Sequence, residues 1–342
     1  MEIKDKNRLL PWSEKYRPTS INHIFSHDKI RTVLLNYKNN NTLPHLLFYG
    51  PPGTGKTSTI TAFAKEFYNE DYDEMVMILN ASEERGIDTV RNRIKQFAST
   101  LGYTQNPNTP TFKLIILDEI DAMTYDAQAI LKRIIEQYIL NVRFCFICNY
   151  LKKINPAIQS RCISFKFKPI PYDHVFNFVL DICEKENLQI TKKAVDILIR
   201  KSNGDLRKIL NILQSAYMHN DIQQNSDNFV NEVTIAKLVS TPTNKIIINI
   251  LNIIQNKSYD EAFIEINSII KNESISLLEI VNDLFEICTE NILGKYEKHP
   301  IADYSVAEII LIIKKLNIIS ENLTYSNNEY IQLASFISIF YK

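Results

Sequence analysis

The stretch that decides the fold is "LPHLLFYGPPGTGKTSTITAFAKEFY", residues 43–68. A short apolar run gives way to a turn that holds three of the chain's seven glycines, and apolar residues then recur at helical spacing. Strand, glycine turn and helix, in that order, are the setting that the G-x-x-x-x-G-K-T pattern of Gly50, Gly53, Gly55, Lys56 and Thr57 requires. Glycines let successive backbone N–H groups curl around an anion, and the start of the helix adds its positive dipole. Residues Gly50, Pro51, Pro52, Gly53, Thr54, Gly55, Lys56, Thr57 and Ser58 are therefore candidates for binding the phosphates of ATP. Within them, Lys56 is expected to reach the β and γ phosphates and Thr57 to ligate Mg²⁺. The competing reading, a chance glycine-rich turn, does not explain the strand and helix signals on either side.

A phosphate cradle of this kind needs an acidic partner, and "FKLIILDEIDAM", residues 112–123, supplies one at the end of an uninterrupted apolar run. Asp118 is the candidate for the Mg²⁺ shell, and Glu119, one residue further on, for the general base that activates water. Asp121 reads as a solvated residue at a helix start rather than a third catalytic acid. Three more apolar runs, "MVMILN", "VRFCFICN" and "ISFKF", alternate with helical stretches. With the two already named they predict an α/β fold around a five-stranded parallel sheet. Asn149 then closes a strand at the carboxyl edge, where ligands of open α/β sheets lie. It is either a group that orients water or senses the γ phosphate, or a plain turn asparagine.

After "KPIPY", residues 168–172, the pattern becomes helical throughout, which places a boundary near residue 167. In "SNGDLRKILN", residues 202–211, Gly204 and Asp205 mark a helix start and put Arg207 in its first turn. A cation costs stability there unless an anion such as a nucleotide phosphate is close. The polar run "MHNDIQQNSDNFVNE" reads as a linker, and everything beyond it as amphipathic helix without visible chemistry. The expected domains are therefore residues 1–166 around the P-loop, a small helical lid over 167–228, and a helical domain over 229–342 whose apolar stripes suggest an association surface.

With 342 residues the chain exceeds one comfortable core, and its 39 basic and 39 acidic residues cancel. No whole-protein field points to nucleic acid or an anionic membrane, so such contacts must be local. No apolar stretch reaches membrane-spanning length, and five cysteines without disulfide-like spacing fit a reducing compartment. Cys145 and Cys148 fall inside an apolar strand and read as core packing. On "SEERGIDTVRNRIKQF", residues 82–97, Arg91 and Lys95 share one helical face, with Arg85 at its entry. These are either a solvated charged face or a sequence-independent contact to DNA phosphates. Arg161, in "NPAIQSRC", is a second open case. It could be an ordinary cation completing a helix dipole.

Taken together, "LPWSEKYRP", the P-loop stretch, "LNASEERGIDTVRNRIKQFAS", "LIILDEIDAM", "RFCFICNYLKKINPAIQSRC" and "SNGDLRKILN" resemble the small subunits of replication factor C, the eukaryotic sliding-clamp loader of the AAA+ class. The resemblance covers roughly residues 9 to 215, and "RFCFICNYLKKI" with "FAST" favours one small subunit over the others. It implies an AAA+ domain, a lid and a helical collar that joins subunits into a heteropentamer. It further implies ATP-driven opening of the clamp, PCNA, and its placement on primer-template DNA in the nucleus, with no membrane partner. By position, Arg17 with Tyr16 and Pro18 would border the base, although Ser13 stands where valine is usual. Asn149 and Arg207 would be the two sensors, and Arg161 an arginine finger acting in trans on a neighbour's ATP. Arg85, Arg91 and Lys95 would face DNA, and "ASTLGYTQNPNTPTF", with Leu101 and Tyr103 as apolar knobs, would face the clamp. The usual "DEAD" reads "DEID" here, so Ile120 changes packing rather than chemistry. The alternatives are another AAA+ replication ATPase of the initiator or helicase-loader type, and a scaffold subunit that mainly binds ATP. The first would usually append a DNA-reading helix-turn-helix, which this sequence does not show, and the second would be expected to have lost Lys56, Glu119 or Arg161, all of which are present.

Overall fold

The computed structural model describes residues 10–24, 26–82, 87–100, 102, 110–222, 229–239, 242, 244–273, 275–293, 304–325 and 328–341. The chain divides into two compact units, Met1–Ile190 with Leu198–Asn228, and Thr191–Ile197 with Phe229–Lys342. The first contains, in order, the helices α1 (Trp12–Lys15) and α2 (Asp28–Asn39), strand β1 (Leu46–Tyr49), α3 (Lys56–Tyr68), β2 (Val76–Asn80), α4 (Ile87–Ser99), β3 (Lys113–Asp118) and α5 (Tyr125–Gln137). It continues with β4 (Val142–Cys148), α6 (Pro156–Gln159), β5 (Ile163–Lys166) and α7 (Tyr172–Lys185). Helix α8 (Lys192–Ser202) crosses the division, and α9 (Leu206–Ile222) returns to the first unit.

The five strands form one parallel sheet in the order β2-β3-β4-β1-β5, as the sequence predicts. Alternation explains why its inner strands are apolar at almost every position. Leu114 and Ile116 of β3, Cys145 and Ile147 of β4, and Leu46 and Phe48 of β1 enter one core with Ile60 and Phe63 of α3. Their neighbours Ile115, Leu117, Phe144, Phe146 and Leu47 enter a second core on the opposite face with Leu131 and Ile135 of α5. A strand covered on both faces has no polar side to show. Cys145 and Cys148 are buried in these cores, as free thiols.

The run read as a linker begins inside a helix, for α9 continues to Ile222 and α10 (Glu232–Leu238) starts on the cap of Asn231, whose Oδ1 accepts from Thr234 N–H at 2.9 Å. Asn and Asp compete with the helix by bonding to nearby backbone, so a run rich in them reads as loop even where the helix continues into it. The second unit adds α11 (Asn244–Asn256), α12 (Tyr259–Glu273), α13 (Leu277–Ile292), α14 (Val306–Tyr325) and α15 (Glu329–Ser338) around a core that includes Ile250, Leu284, Leu316 and Phe336. No described helix is long and apolar enough to cross a membrane.

Candidate nucleotide site

The sheet delivers its chemistry at the carboxyl ends of β1, β3 and β4. Gly50, Gly53 and Gly55 adopt φ of 147°, 67° and 88°, the positive range that glycine enters freely. The loop they form leads straight into α3, with Gly55 at its cap. A Cβ on Gly53 would lie 1.9 Å from Asp205 Oδ1, so the loop is pressed against the start of α9. Leu206 N–H also reaches Gly53 O at 3.4 Å.

Lys56 is buried, and its ammonium donates to Gly50 O at 2.8 Å, Pro51 O at 2.7 Å and Asn149 Oδ1 at 2.9 Å. Burial lowers its pKa from the ordinary lysine value, while the nearby Asp118 carboxylate acts in the opposite direction. Thr57 Oγ1 donates to Asp118 Oδ2 at 2.6 Å, which brings the two expected metal ligands together. Glu119 follows in a left-handed backbone conformation, φ 55°, with its N–H on Asp118 Oδ1 at 2.9 Å and its side chain exposed. A non-glycine residue held in that region stores strain at the point where the strand must turn.

A cavity of about 200 Å³ opens above this cluster. Its lining includes Thr54 to Thr59, Asp118, Glu119 and Asn149, with Tyr16, Arg17 and Pro18 on one wall and Phe178, Arg207 and Leu210 of the helical segment on another. Ser13 also lines it. Arg207 lies in the first turn of α9, whose backbone N–H groups at Arg207 and Lys208 are capped by Asp205 Oδ1 at 2.9 and 3.2 Å. The N-terminal wall is tied to the helical segment: Trp12 N–H donates to Gln214 Oε1 at 3.0 Å, and Glu186 accepts from both Tyr16 and Lys15. Burial, followed by the Glu186 carboxylate, raises the Tyr16 hydroxyl pKa.

Arg161 is not among the lining residues. It lies just beyond α6, donating through Nη1 to Ala157 O at 2.7 Å and through Nη2 to Glu136 Oε1 at 2.6 Å. Lys95 is half-buried on α4, whereas Arg85 and the side chain of Arg91 lie outside the described residues, as do Leu101 and Tyr103.

Two residues do more than their sequence positions suggested. Asp121, read as a solvated helix-start residue, accepts from Asn149 N–H and Tyr150 N–H, each at 3.2 Å, and so fixes the turn that aims Asn149 at Lys56. Gln128 is 1% exposed on α5. Its Nε2 donates to Lys153 O at 3.1 Å and Met123 O at 3.3 Å, and its Oε1 accepts from Asn155 N–H at 2.7 Å. It thereby joins the turns after β3 and β4 to the cap of α6. The available signal was a polar side chain on the apolar stripe shared with Leu131 and Ile135.

Three family models cover most of the chain: the ATPase family associated with various cellular activities over residues 46–169, the replication-factor-C-like AAA+ lid over 174–226, and the replication factor C C-terminal domain over 242–338. The chain is 42% identical to replication factor C subunit 3 of Schizosaccharomyces pombe, over 96% of its own length and 90% of that protein. The chain belongs to the replication factor C subunit family. Replication factor C subunit 5 of Homo sapiens is 39% identical, with 98% of this chain and 92% of that one covered. These relatives, numbered five in human and three in the two yeasts, point to one small-subunit type, the one that "RFCFICNYLKKI" and "FAST" resemble, numbered five in human and three in budding yeast. Among solved structures, the RuvB Holliday junction branch migration motor of Thermotoga maritima matches with a TM-score of 0.51 at 14% identity, covering 74% of this chain and 85% of that one. That likeness concerns the fold. The chain is thus an AAA+ ATPase of the clamp-loader class that its sequence resembles.

Proposed function

We propose that this chain binds ATP with Mg²⁺ in the cavity over the P-loop, and that hydrolysis there is completed by an arginine from a neighbouring subunit. The arrangement that carries this reading is the cluster of Lys56, Asn149, Thr57, Asp118 and Glu119 at one cavity, with Arg161 outside the lining of that same cavity. An arginine that does not face its own site is free to serve another.

The residues fit the cation. A hydroxyl and a carboxylate at 2.6 Å, with a second carboxylate next in sequence, form the hard oxygen donor set that Mg²⁺ prefers. Thr57 and Asp118 would hold it, and when bound it supplies positive charge against the phosphate oxygens. Lys56 would leave the carbonyls of Gly50 and Pro51 for phosphate oxygens, exchanging neutral acceptors for charged ones. Glu119, exposed beyond the strand, takes the proton from the attacking water, and Asn149 orients that water or reports the γ phosphate. Arg207 and Arg17 approach the nucleotide from the helical and N-terminal walls. Arg161 stabilises the charge of a departing γ phosphate in trans.

In this reading the ATPase cycle helps open a sliding clamp, PCNA, and place it on primer-template DNA in the nucleus, as part of a heteropentamer with other replication factor C subunits. Residues 1–166 act as the ATPase domain, 167–228 as the lid and 229–342 as the collar. Arg85, Arg91 and Lys95 contribute phosphate contacts without reading bases.

Single-site hydrolysis in the assembled complex tests the reading. Glu119→Gln should retain ATP binding and nearly abolish turnover at this subunit's own site, because an amide cannot accept the proton. Lys56→Ala should remove binding itself. Arg161→Ala should leave this subunit's ATP affinity intact and slow hydrolysis at the adjacent site by about a thousandfold or more. An isolated chain that hydrolyses ATP at the full rate of the complex, and loses that rate on Arg161→Ala, would refute action in trans.

A further inference from the structure

Glu136 occupies the penultimate position of α5, in the last turn of that helix. An anion is disfavoured there, because the unpaired carbonyls of the helix end already make the region negative. Two cations on its own helix, Lys132 and Arg133, lie four and three residues earlier, at spacings suited to pairing. Neither pairs with it. Its partner is Arg161, from a different element, at 2.6 Å. The same guanidinium donates to Ala157 O, one of the terminal carbonyls of α6. The ends of two helices and one carboxylate thus converge on a single side chain.

A guanidinium carries five N–H donors. Glu136 takes one through Nη2, while Ala157 O at 2.7 Å and a long contact to Ser160 Oγ at 3.4 Å account for Nη1. Among the described residues, Nε–H and one N–H of Nη2 remain unbonded. They leave donors available for a phosphate oxygen approaching from outside the subunit. Arg161 and Glu136 side chains are 34% and 48% exposed. An ion pair this open to solvent is worth too little to hold the arginine back from a charged phosphate. What it can do is restrict the rotamers of a long, flexible side chain before the phosphate arrives.

We propose that Glu136 is a positioning residue for the arginine finger: it fixes the Arg161 guanidinium so that its unbonded N–H groups are presented to the ATP of the adjacent subunit. The assignment rests on Arg161 acting in trans. It adds a chemical reason for an acidic residue in the last turn of α5.

The test uses the assembled complex, with ATP as substrate and hydrolysis-dead glutamate variants at every site except the one adjacent to Arg161. Glu136→Ala should lower kcat at that site about fivefold to tenfold, the scale of freeing one long side chain's rotamers, and leave KM for ATP unchanged. Glu136→Gln retains an oxygen that can accept from Nη2 and should recover kcat to within about twofold of the unmodified complex. Combined with Arg161→Ala, Glu136→Ala should add no further loss. An unchanged or raised kcat for Glu136→Ala would overturn the proposal, as would a Glu136→Gln variant no better than the alanine one. If Arg161→Ala alone leaves the adjacent site untouched, the trans reading itself fails. An Arg161 effect without a Glu136 effect removes only the positioning role.

Discussion

Replacing Gln128 with leucine tests how the site is braced, because leucine nearly matches glutamine in volume and removes only the polar atoms. The wild-type amide is 1% exposed and satisfies the Asn155 N–H at 2.7 Å and the carbonyls of Lys153 and Met123 at 3.1 and 3.3 Å. Asn155 is itself buried, so its N–H has no route to water once Gln128 Oε1 is gone. A stranded buried donor costs about 1–3 kcal/mol. The two carbonyls belong to less buried residues and can turn partly to solvent, which limits their share. A net loss of roughly 2–3 kcal/mol is expected. In a unit of this size that lowers Tm by roughly 4–12 °C. The effect should reach beyond stability, because Asn155 Oδ1 also caps α6 through Ala157 N–H at 2.9 Å. Thermal unfolding of the full chain, followed by circular dichroism with and without ATP, gives the readout. A Gln128→Leu protein melting within about 2 °C of wild type would show that the three turns do not depend on this amide.

Other perturbations address the remaining parts. Gly53→Ala places a methyl group 1.9 Å from Asp205 Oδ1 and 2.8 Å from its Cα, at φ 67°, so the start of α9 must move off the P-loop. ATP affinity should fall on the order of tenfold or more, measured by nucleotide titration. His45 accepts from Phe144 N–H at 3.1 Å, and burial, followed by the nearby Arg143, lowers its pKa to about 4. Because its folded pKa lies below the unfolded value, the stabilisation is complete above about pH 6.5 and is lost as pH falls toward 4, by on the order of 3 kcal/mol. His45→Gln should flatten denaturant midpoints across that window, and an unchanged slope would exclude His45 as the cause. A chain ending at Asn228 should still fold and bind ATP but fail to join the other subunits in sedimentation, and its normal assembly would refute the collar reading.

Local order carried most of what the sequence made legible. The P-loop, the acid pair after β3 and Asn149 after β4 each announce themselves within about a dozen residues, since strand, turn and chemistry are contiguous there. The parallel sheet was legible for a related reason: a strand buried on two faces must be apolar at successive positions. The hidden features all depend on residues far apart in sequence meeting at side chains. Nothing in "YDAQAILKRIIEQ" shows that Gln128 will reach Asn155, or that Glu136 will choose Arg161 over two cations on its own helix. Nor does "SNGDLRKILN", which marks Asp205 as a helix start, reveal that the same residue presses on Gly53.

Those distant meetings explain why Arg161 remained open to two readings. As a cation at a helix end it does bond a terminal carbonyl, Ala157 O, and so satisfies the modest role. A dipole-completing cation would be expected to contribute roughly 0.3–1 kcal/mol to its own subunit and nothing to another's catalysis. The geometry lets one side chain do both, because among the described residues the bonds to Ala157 O and Glu136 leave Nε–H unbonded. The two contributions separate experimentally, since the first resides in the melting curve of the isolated chain and the second only in hydrolysis by the complex. Arg161→Lys distinguishes them. Lysine keeps the charge at the helix end and should preserve stability to within about 0.5 kcal/mol, but it cannot hold Ala157 O, Glu136 and a phosphate with a fixed planar fork. Hydrolysis at the adjacent site should therefore fall nearly as far as in Arg161→Ala. If lysine restores that hydrolysis in full, point charge suffices, and neither the fork geometry nor its fixing by Glu136 contributes to the reaction.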